Sequence, residues 1–117
     1  MISISVPLPA KELSPNARVH WRVKARATKS ARENAFAAAI VHGKPMWKAA
    51  SVLCVFTFKD KRSRDRDNLL SSLKAVFDGL ADAGVVANDS ALTYKPVEIT
   101  APDKANPRVV IYIEETK

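Results

Sequence analysis

Two stretches near the start of the chain have different hydrophobic periods. Residues 2–8, ISISVPL, place Ile2, Ile4 and Val6 at every second position, which is the period of a half-buried strand. Residues 24–42 repeat apolar side chains every three to four positions instead, and a glycine and a proline follow. This spacing predicts a helix with one apolar side, formed by Ala27, Ala31, Ala35 and Ala38 with Phe36 and Ile40 nearby.

The middle of the chain combines an apolar strand with a strongly amphipathic helix. Residues 51–59, SVLCVFTFK, are rich in β-branched and aromatic side chains and predict a mostly buried strand. A charged loop follows, and then the spacing predicts a helix over about residues 67–81. Its apolar stripe consists of Leu69, Leu70, Leu73, Val76, Phe77 and Leu80. Asp67 or Asn68 is a suitable N-cap, and Gly79 weakens the helix only modestly.

The end of the chain predicts two further strands, PVEIT at residues 96–100 and RVVIYIEE at residues 108–115. The element order β-α-β-α-β-β favours the α/β (α+β) class, with a mixed sheet of about four strands packed against two main helices. We expect residues 1–117 to form a single domain, because 117 residues suit one compact unit. A domain this small buries only about two thirds of its unfolded surface, so a dimer interface would stabilise it.

Positive charge is the main feature of the composition. The net charge is +7 and the isoelectric point is about 9.8, which points to a polyanionic partner, most often nucleic acid. The excess lies in residues 11–32, with seven basic side chains and one acidic, and in residues 59–66, with five basic and two acidic. The residues we expect to bind DNA are Asn16, Arg18, His20, Arg22, Lys24, Arg26, Lys61, Arg62, Arg64 and Arg66. A solvated basic surface without a partner is the alternative.

Other residue types narrow the function classes. Cys54 lies in the apolar strand and is expected to fill the core, and His20 and His42 lack the spacing of a zinc site. A lone tryptophan more often packs on its own domain than on a base, and we expect this for Trp21 and Trp47. Neither a signal peptide nor a membrane-spanning run is apparent, so we expect a cytoplasmic protein without a membrane or small-molecule cofactor.

Acidic residues cluster around the second predicted helix. If the chain is extended before that helix, the carboxylates of Asp65 and Asp67 point the same way, as a hard cation such as Mg²⁺ requires. Lys74 and Asp78 lie on the same polar side of the helix as Asp67, where the lysine is suited to contact a scissile phosphate. Asp89 follows the helix and is a candidate third carboxylate. The alternative is that these residues have structural roles only. Asp65 would then be a solvated charge, Asp67 an N-cap, Lys74 a surface lysine and Asp89 a turn residue.

The ordered pattern of residues 64–90, RDRDNLLSSLKAVFDGLADAGVVANDS, resembles the motif of the RusA family of Holliday-junction resolvases, small endodeoxyribonucleases common in phages and prophages. That motif joins D-x-D-N to a helix with a lysine, an Asp-x-Leu and a later aspartate. The matching positions are Asp65, Asp67, Asn68, Lys74, Asp78, Leu80, Gly84, Val85 and Asp89. Residues 14–22, SPNARVHWR, also resemble the start of the family, so the resemblance runs from about residue 15 to residue 89.

The resemblance implies a role for each matching residue. Asp65, Asp67 and Asp89 would bind Mg²⁺, with Mn²⁺ as an alternative, while Lys74 would be the catalytic lysine and Arg64 would contact the DNA. It further implies a homodimer whose two sites nick opposing strands of a four-way junction during recombination and repair, at the nucleoid of a bacterium or in a phage-infected cell.

The position of the lysine departs from the pattern of some family members. They place it four residues after the second aspartate, where this chain has Ser71, whereas Lys74 comes seven residues after Asp67. One helical turn separates the two positions, and both lie on the same side of the predicted helix. The resulting hypothesis is a Mg²⁺-dependent endonuclease for branched DNA. A non-catalytic basic nucleic-acid-binding module and a metal-dependent ribonuclease are the alternatives.

Overall fold

The computed structural model describes residues 1–116 and shows a mixed sheet covered on one side by helices, as the α+β prediction requires. The strands are β1 Ile2–Val6, β2 Ala50–Thr57, β3 Leu92–Tyr94, β4 Glu98–Ile99 and β5 Arg108–Glu115. The helices are α1 Trp21–Ile40, α2 Arg66–Ser71 and α3 Lys74–Asp82, with short 3₁₀ turns at Lys11–Leu13 and Asp89–Ala91. The sheet has five strands, one more than expected, because β3 is absent from the sequence prediction.

The strand order is β1-β5-β2-β3, and β4 pairs with β2 beyond the end of β3. β5 is antiparallel to both β1 and β2, whereas β3 and β4 run parallel to β2. Pro96 separates β3 from β4, and a proline cannot donate to a strand ladder. β3 and β4 therefore form one interrupted edge along β2.

The alternation of the strands determines which face is covered. Every second residue of β1, β2 and β5 is buried beneath the helices, and these residues are Ile2, Ile4, Val6, Ala50, Val52, Cys54, Phe56, Val109, Ile111 and Ile113. Burial raises the pKa of the Cys54 thiol to about 12, which keeps it protonated and unreactive, as a core cysteine should be. Intervening residues such as Tyr112 lie on the open face of the sheet.

Helix α1 begins three residues earlier than predicted, because His20 is its N-cap. The Nδ1 atom of His20 accepts a hydrogen bond from the backbone N–H of Arg22 at 3.1 Å. The buried residues of α1 are Ala35 and Ala39, whereas Phe36 and Ile40 are exposed. Small residues line this side because α1 and α3 approach closely. A Cβ atom at Gly79 would lie 2.5 Å from the carbonyl oxygen of Arg32.

The predicted helix over residues 67–81 is two helices, α2 and α3, separated at Ser72 and Leu73. The Ser72 hydroxyl donates to the carbonyl oxygen of Leu69 at 2.6 Å, and the backbone N–H of Leu73 bonds Leu70 with 3₁₀ spacing. Serine side chains compete with the helical backbone in this way, which interrupts the helix. The apolar periodicity continues through the break because Leu73 is fully buried.

The two tryptophans behave differently. Trp47 is partly buried and packs against the core, which confirms the prediction for it. Trp21 is 67% exposed, so the expectation that it packs on its own domain is wrong. Its ring lies against its chain neighbours, with the His20 ring centroid at 5.7 Å and the Arg22 guanidinium at 5.3 Å.

Candidate active site

The charged loop of residues 59–66, which we call the basic loop, is held in place by Arg64. Its guanidinium lies 3.7 Å from the ring centroid of Phe58, a buried residue directly after β2. The same guanidinium donates to the Asp60 carboxylate at 2.8 Å and to the Arg62 carbonyl oxygen at 2.6 Å. The Arg64 side chain is only 15% exposed. Its donors therefore bind the loop itself, and little of the guanidinium faces a partner.

The other basic residues that we expected to contact DNA lie at the surface. Arg66 is exposed, but its guanidinium also donates to the carbonyl oxygen of Val97 at 3.1 Å, which ties the basic loop to the edge of the sheet. The remaining exposed members of the set are Asn16, Arg18, His20, Arg22, Lys24, Arg26, Lys61 and Arg62. They occupy the start of α1, the segment before it and the basic loop.

Asp65 and Asp67 have different local environments. Asp65 is the N-cap of α2, and its Oδ1 accepts hydrogen bonds from the backbone N–H groups of Asp67 at 2.9 Å and Asn68 at 3.3 Å. The predicted N-cap, Asp67 or Asn68, is therefore wrong, because the cap lies two or three residues earlier. Asp67 is exposed in the first helical turn. Since the helix begins at Arg66, the extended geometry that would have aligned the two carboxylates ends at Asp65.

Lys74, Asp78 and Asp89 meet at the first turn of α3, and we call them the lysine–aspartate cluster. The Nζ atom of Lys74 lies 2.9 Å from Oδ1 of Asp78, one helical turn away, and 2.5 Å from Oδ2 of Asp89. The Lys74 side chain is 66% exposed. The chain after α3 thus brings Asp89 to the lysine, and an ammonium group is shared by two carboxylates at the surface.

A tight turn after α3 makes this meeting possible. Gly84 has a φ angle of +80°, and the Val85 N–H bonds the Leu80 carbonyl while the Gly84 N–H bonds that of Ala81. This is a Schellman ending, in which glycine tolerates the left-handed conformation. Val85 and the residue after it are fully buried and anchor the returning chain. Asn88 then caps the 3₁₀ turn that carries Asp89.

The charges of the cluster stabilise one another. The hydrogen bond from Lys74 lowers the pKa of Asp89 below its ordinary value, and the nearby positive charge adds to that effect. In return, Asp89 and then Asp78 raise the pKa of Lys74 above its usual range. At neutral pH the lysine is therefore a cation and Asp89 a carboxylate.

Lys74 lies between two surface cavities. One has a volume of about 270 Å³ and is shared with α1; its charged lining residues are Lys24, Lys74 and Asp78. Lys24 is thus the predicted DNA-binding residue that borders the same cavity as the lysine. The other, which we call the Tyr94 recess, measures about 360 Å³. It is lined by Leu70, Ser71, Lys74, Phe77 and Tyr94.

The three predicted carboxylates are of the ligand type that Mg²⁺ prefers, but they do not form one three-residue site in this structure. Carboxylate oxygens are the ligands that hard divalent cations prefer, and Asp65, Asp67 and Asp89 supply them. Within residues 1–116, however, no three His, Cys, Asp or Glu side chains are grouped so that they could hold one metal ion. The structure brings Lys74 to Asp89 and does not gather Asp65, Asp67 and Asp89 into one cluster.

Three residues of this region had no assigned role in the sequence analysis. Asp60 binds Arg64, Asn88 caps the turn of Asp89, and Tyr94 lines the recess beside Lys74. A local signal exists for Asn88, because asparagine before a short polar turn is a common cap. The place of Tyr94 depends on the pairing of β3 with β2, which no local pattern indicates.

Comparison with known proteins yields a relative without an assigned activity. No model of a known protein family matches the chain. A protein from Xylella fastidiosa, described as an uncharacterized protein, is 38% identical over 91 residues, which cover 71% of this chain. The chain matches 58% of that relative's length. As for membranes, no helix within residues 1–116 is both long and apolar enough to cross a bilayer.

Proposed function

We propose that this protein is a Mg²⁺-dependent, structure-specific endonuclease that nicks opposing strands of four-way DNA junctions as a homodimer. The observation that carries the proposal is the 2.5 Å contact between Lys74 and Asp89. Fifteen residues separate these two members of the RusA-like motif, yet both side chains reach one surface site. The resemblance of residues 64–90 to that motif gives the site its expected chemistry.

The chain's own residues divide the work as follows. Asp65, Asp67 and Asp89 would supply carboxylate oxygens for Mg²⁺ or Mn²⁺ once the chain brings them together. A bound divalent ion supplies Lewis-acid stabilisation of charge and lowers the pKa of water. Asp89 can serve a cation fully only when Lys74 releases it, and the freed ammonium can then contact the scissile phosphate. The Lys74 ammonium would therefore replace its hydrogen bond to Asp89 with one to a phosphate when DNA binds.

Positive charge brings the DNA to this site. Lys24 of α1 borders a cavity with Lys74 and Asp78, and the other exposed members of the expected DNA-binding set lie on α1, in the segment before it and in the basic loop. Each phosphate that they neutralise releases counterions, so the affinity for a junction should fall steeply as the salt concentration rises. A homodimer would present two such sites related by a two-fold axis, which matches the symmetry of a four-way junction.

Asp67→Asn tests the proposal. With a labelled synthetic junction in Mg²⁺, we expect the wild-type protein to produce paired nicks and Asp67→Asn to produce none. Binding measured in EDTA should survive or tighten, because one negative charge near phosphate is lost. Glu33→Gln, which removes an exposed carboxylate from α1, is the control and should cut normally.

A non-catalytic DNA-binding module is the second candidate, and a specific observation favours it. Asp65 caps a helix and Asp89 pairs with a lysine, which are the structural roles that this alternative assigns to them. Wild-type protein that binds junctions but leaves them intact in Mg²⁺ would establish this alternative. Offering RNA duplex and DNA duplex in parallel identifies a ribonuclease, since preferential cutting of RNA would overturn the DNA assignment.

A further inference from the structure

The Tyr94 recess combines an aromatic surface with a cation. Tyr94 is 41% exposed, and its ring centroid lies 4.9 Å from that of Phe77, which is buried in the core. The Tyr94 ring is therefore supported from the inside while part of it faces solvent. Leu70 adds apolar lining, and Lys74 borders the same recess. A flat apolar surface beside an ammonium group is suited to a ligand that is planar at one end and anionic at the other.

The backbone fixes the position of Tyr94. Tyr94 pairs with Val52 of β2, whose side chain is in the core, so Tyr94 lies on the helix-covered side of the sheet. The next backbone N–H, that of Lys95, donates to the Val52 carbonyl at 2.9 Å and holds the end of β3. Burial, with a contribution from the charge of Asp89, raises the pKa of Tyr94. The phenol is therefore neutral at neutral pH and does not repel a phosphate.

We propose that the Tyr94 recess receives one unpaired nucleobase of the DNA, adjacent to the phosphate that Lys74 contacts. This inference rests on the proposed function, because it takes branched DNA as the substrate. A base within a continuous duplex has both faces covered by its neighbours, so only an unstacked base can lie against the tyrosine ring. Bases at a branch point have interrupted stacking and meet this condition. Aromatic side chains accept any base in this way, because every base has a π face.

The volume and the charge of the recess agree with this ligand. About 360 Å³ lies within the range for small-molecule pockets, roughly 300–1,000 Å³, so the recess has room for one base. The phosphate attached to that base needs a cation within reach. Lys74 lines the same recess, and its ammonium group would leave Asp89 to contact the phosphate. The recess thereby selects DNA whose strand is locally open beside the site of cleavage.

The test uses the full chain and a junction that carries 2-aminopurine at the branch point, in EDTA so that no strand is cut. Wild-type protein should quench the 2-aminopurine fluorescence as the base stacks. Tyr94→Ala should abolish the quenching and weaken junction binding about 5- to 140-fold, the range expected for one lost base–aromatic stack. Tyr94→Phe should retain both properties. Tyr94→Leu preserves an apolar contact for Phe77 but removes the ring. It should therefore also lose the quenching and bind the junction more weakly, and it keeps the test valid if the alanine variant fails to fold.

Tyr112 provides a matched control. It is 38% exposed, nearly as much as Tyr94, but it lies on the open face of the sheet. Tyr112→Ala should bind and quench like the wild type. The inference is overturned if folded Tyr94→Leu binds and quenches normally, if wild-type protein does not quench, or if continuous duplex is quenched as strongly as the junction. No readout of this test depends on cleavage. A protein that binds junctions without cutting them would therefore refute the proposed enzyme, while the quenching and binding results would still decide this inference.

Discussion

The basic loop and the lysine–aspartate cluster are both groups of mixed charges, but they are built over different distances in the chain. In the basic loop, Arg64 bonds groups two and four residues away and lies on Phe58. In the cluster, Lys74 bonds Asp78 four residues away and Asp89 fifteen residues away. Arg64 finds its hydrogen-bond partners within the basic loop itself. The lysine–aspartate cluster, in contrast, exists only because the chain folds back after α3.

The difference shows that adjacent charges in a sequence need not share a role. Arg64 is largely shielded from solvent, so its interactions hold the conformation of the basic loop, in which Asp65 is the next residue. Lys74 is largely exposed and weakly held, because surface ion pairs contribute little free energy. A side chain held this weakly can change partners. We therefore expect substitution in the loop to act mainly on stability and substitution in the cluster to act mainly on chemistry.

The largest expected effect is on cleavage, from Lys74→Met. Removing the ammonium from beside the phosphate should lower the rate of junction cleavage in Mg²⁺ by about 100-fold or more, the scale of losing one charge-stabilising group. The melting temperature should change little, because the side chain is exposed. Lys29→Met, on the surface of α1, is the control and should retain the wild-type rate. Equal rates for both variants would remove Lys74 from the chemistry.

A smaller effect is expected on stability, from Arg64→Met. The variant keeps the length of the side chain but loses the cation above Phe58 and the hydrogen bonds of the guanidinium. Loss of the cation–π contact should lower the free energy of unfolding by about 1 kcal/mol in a urea titration. Arg62→Met should lower it far less, because that side chain is exposed and its guanidinium lies 3.9 Å from Asp60. If the two variants are equally stable, Arg64 does not hold the loop.

The smallest effect concerns two carboxylates. Hydrogen bonds from Arg64 and Lys74 lower the pKa of Asp60 and of Asp89, respectively, below the ordinary value of 3.8. In metal-free buffer, carboxyl NMR titration should show that Arg64→Met raises the pKa of Asp60 and not that of Asp89, and that Lys74→Met raises the pKa of Asp89 and not that of Asp60. A change at both sites in either variant would show that the regions are coupled.

These two pKa values also set the direction of the pH dependence of stability. A carboxyl whose pKa is depressed by folding contributes stability above its ordinary pKa and loses that contribution as the pH falls through the folded pKa. Each variant should therefore lose the contribution of one carboxyl to the pH dependence of stability in the acid range, and the change should be small because both groups are exposed. Acid unfolding followed by circular dichroism measures this change.

The sequence predicts most of the sheet but less of the helical layer. Alternation identifies β1, and β-branched and aromatic content identifies β2, each to within a few residues. The predicted β5 at residues 108–115 is confirmed at both ends. β3 is too short to show a period, and its formation depends on pairing with β2. The break between α2 and α3 is hidden because the buried Leu73 continues the apolar stripe through it. The early start of α1 depends on the His20 cap rather than on apolar spacing.

At the site, local contacts are more predictable than distant ones. The spacing of Lys74 and Asp78 on one side of a helix follows from the helical period, and the structure shows them bonded. The approach of Asp89 to Lys74 and the burial of Arg64 against Phe58 depend on tertiary packing, which no single segment encodes. The metal-binding roles of Asp65, Asp67 and Asp89 stay predictions.

Gly84 links the interior of the protein to the charge at its surface. Its left-handed conformation directs the chain so that Val85 enters the core just before Asp89 emerges at Lys74. A side chain at this position would be strained by the backbone and would also press on Lys44 and Met46. Relief of this strain would require the turn that leads to Asp89 to shift. The backbone angle of Gly84 therefore contributes to the contact between Lys74 and its distant carboxylate.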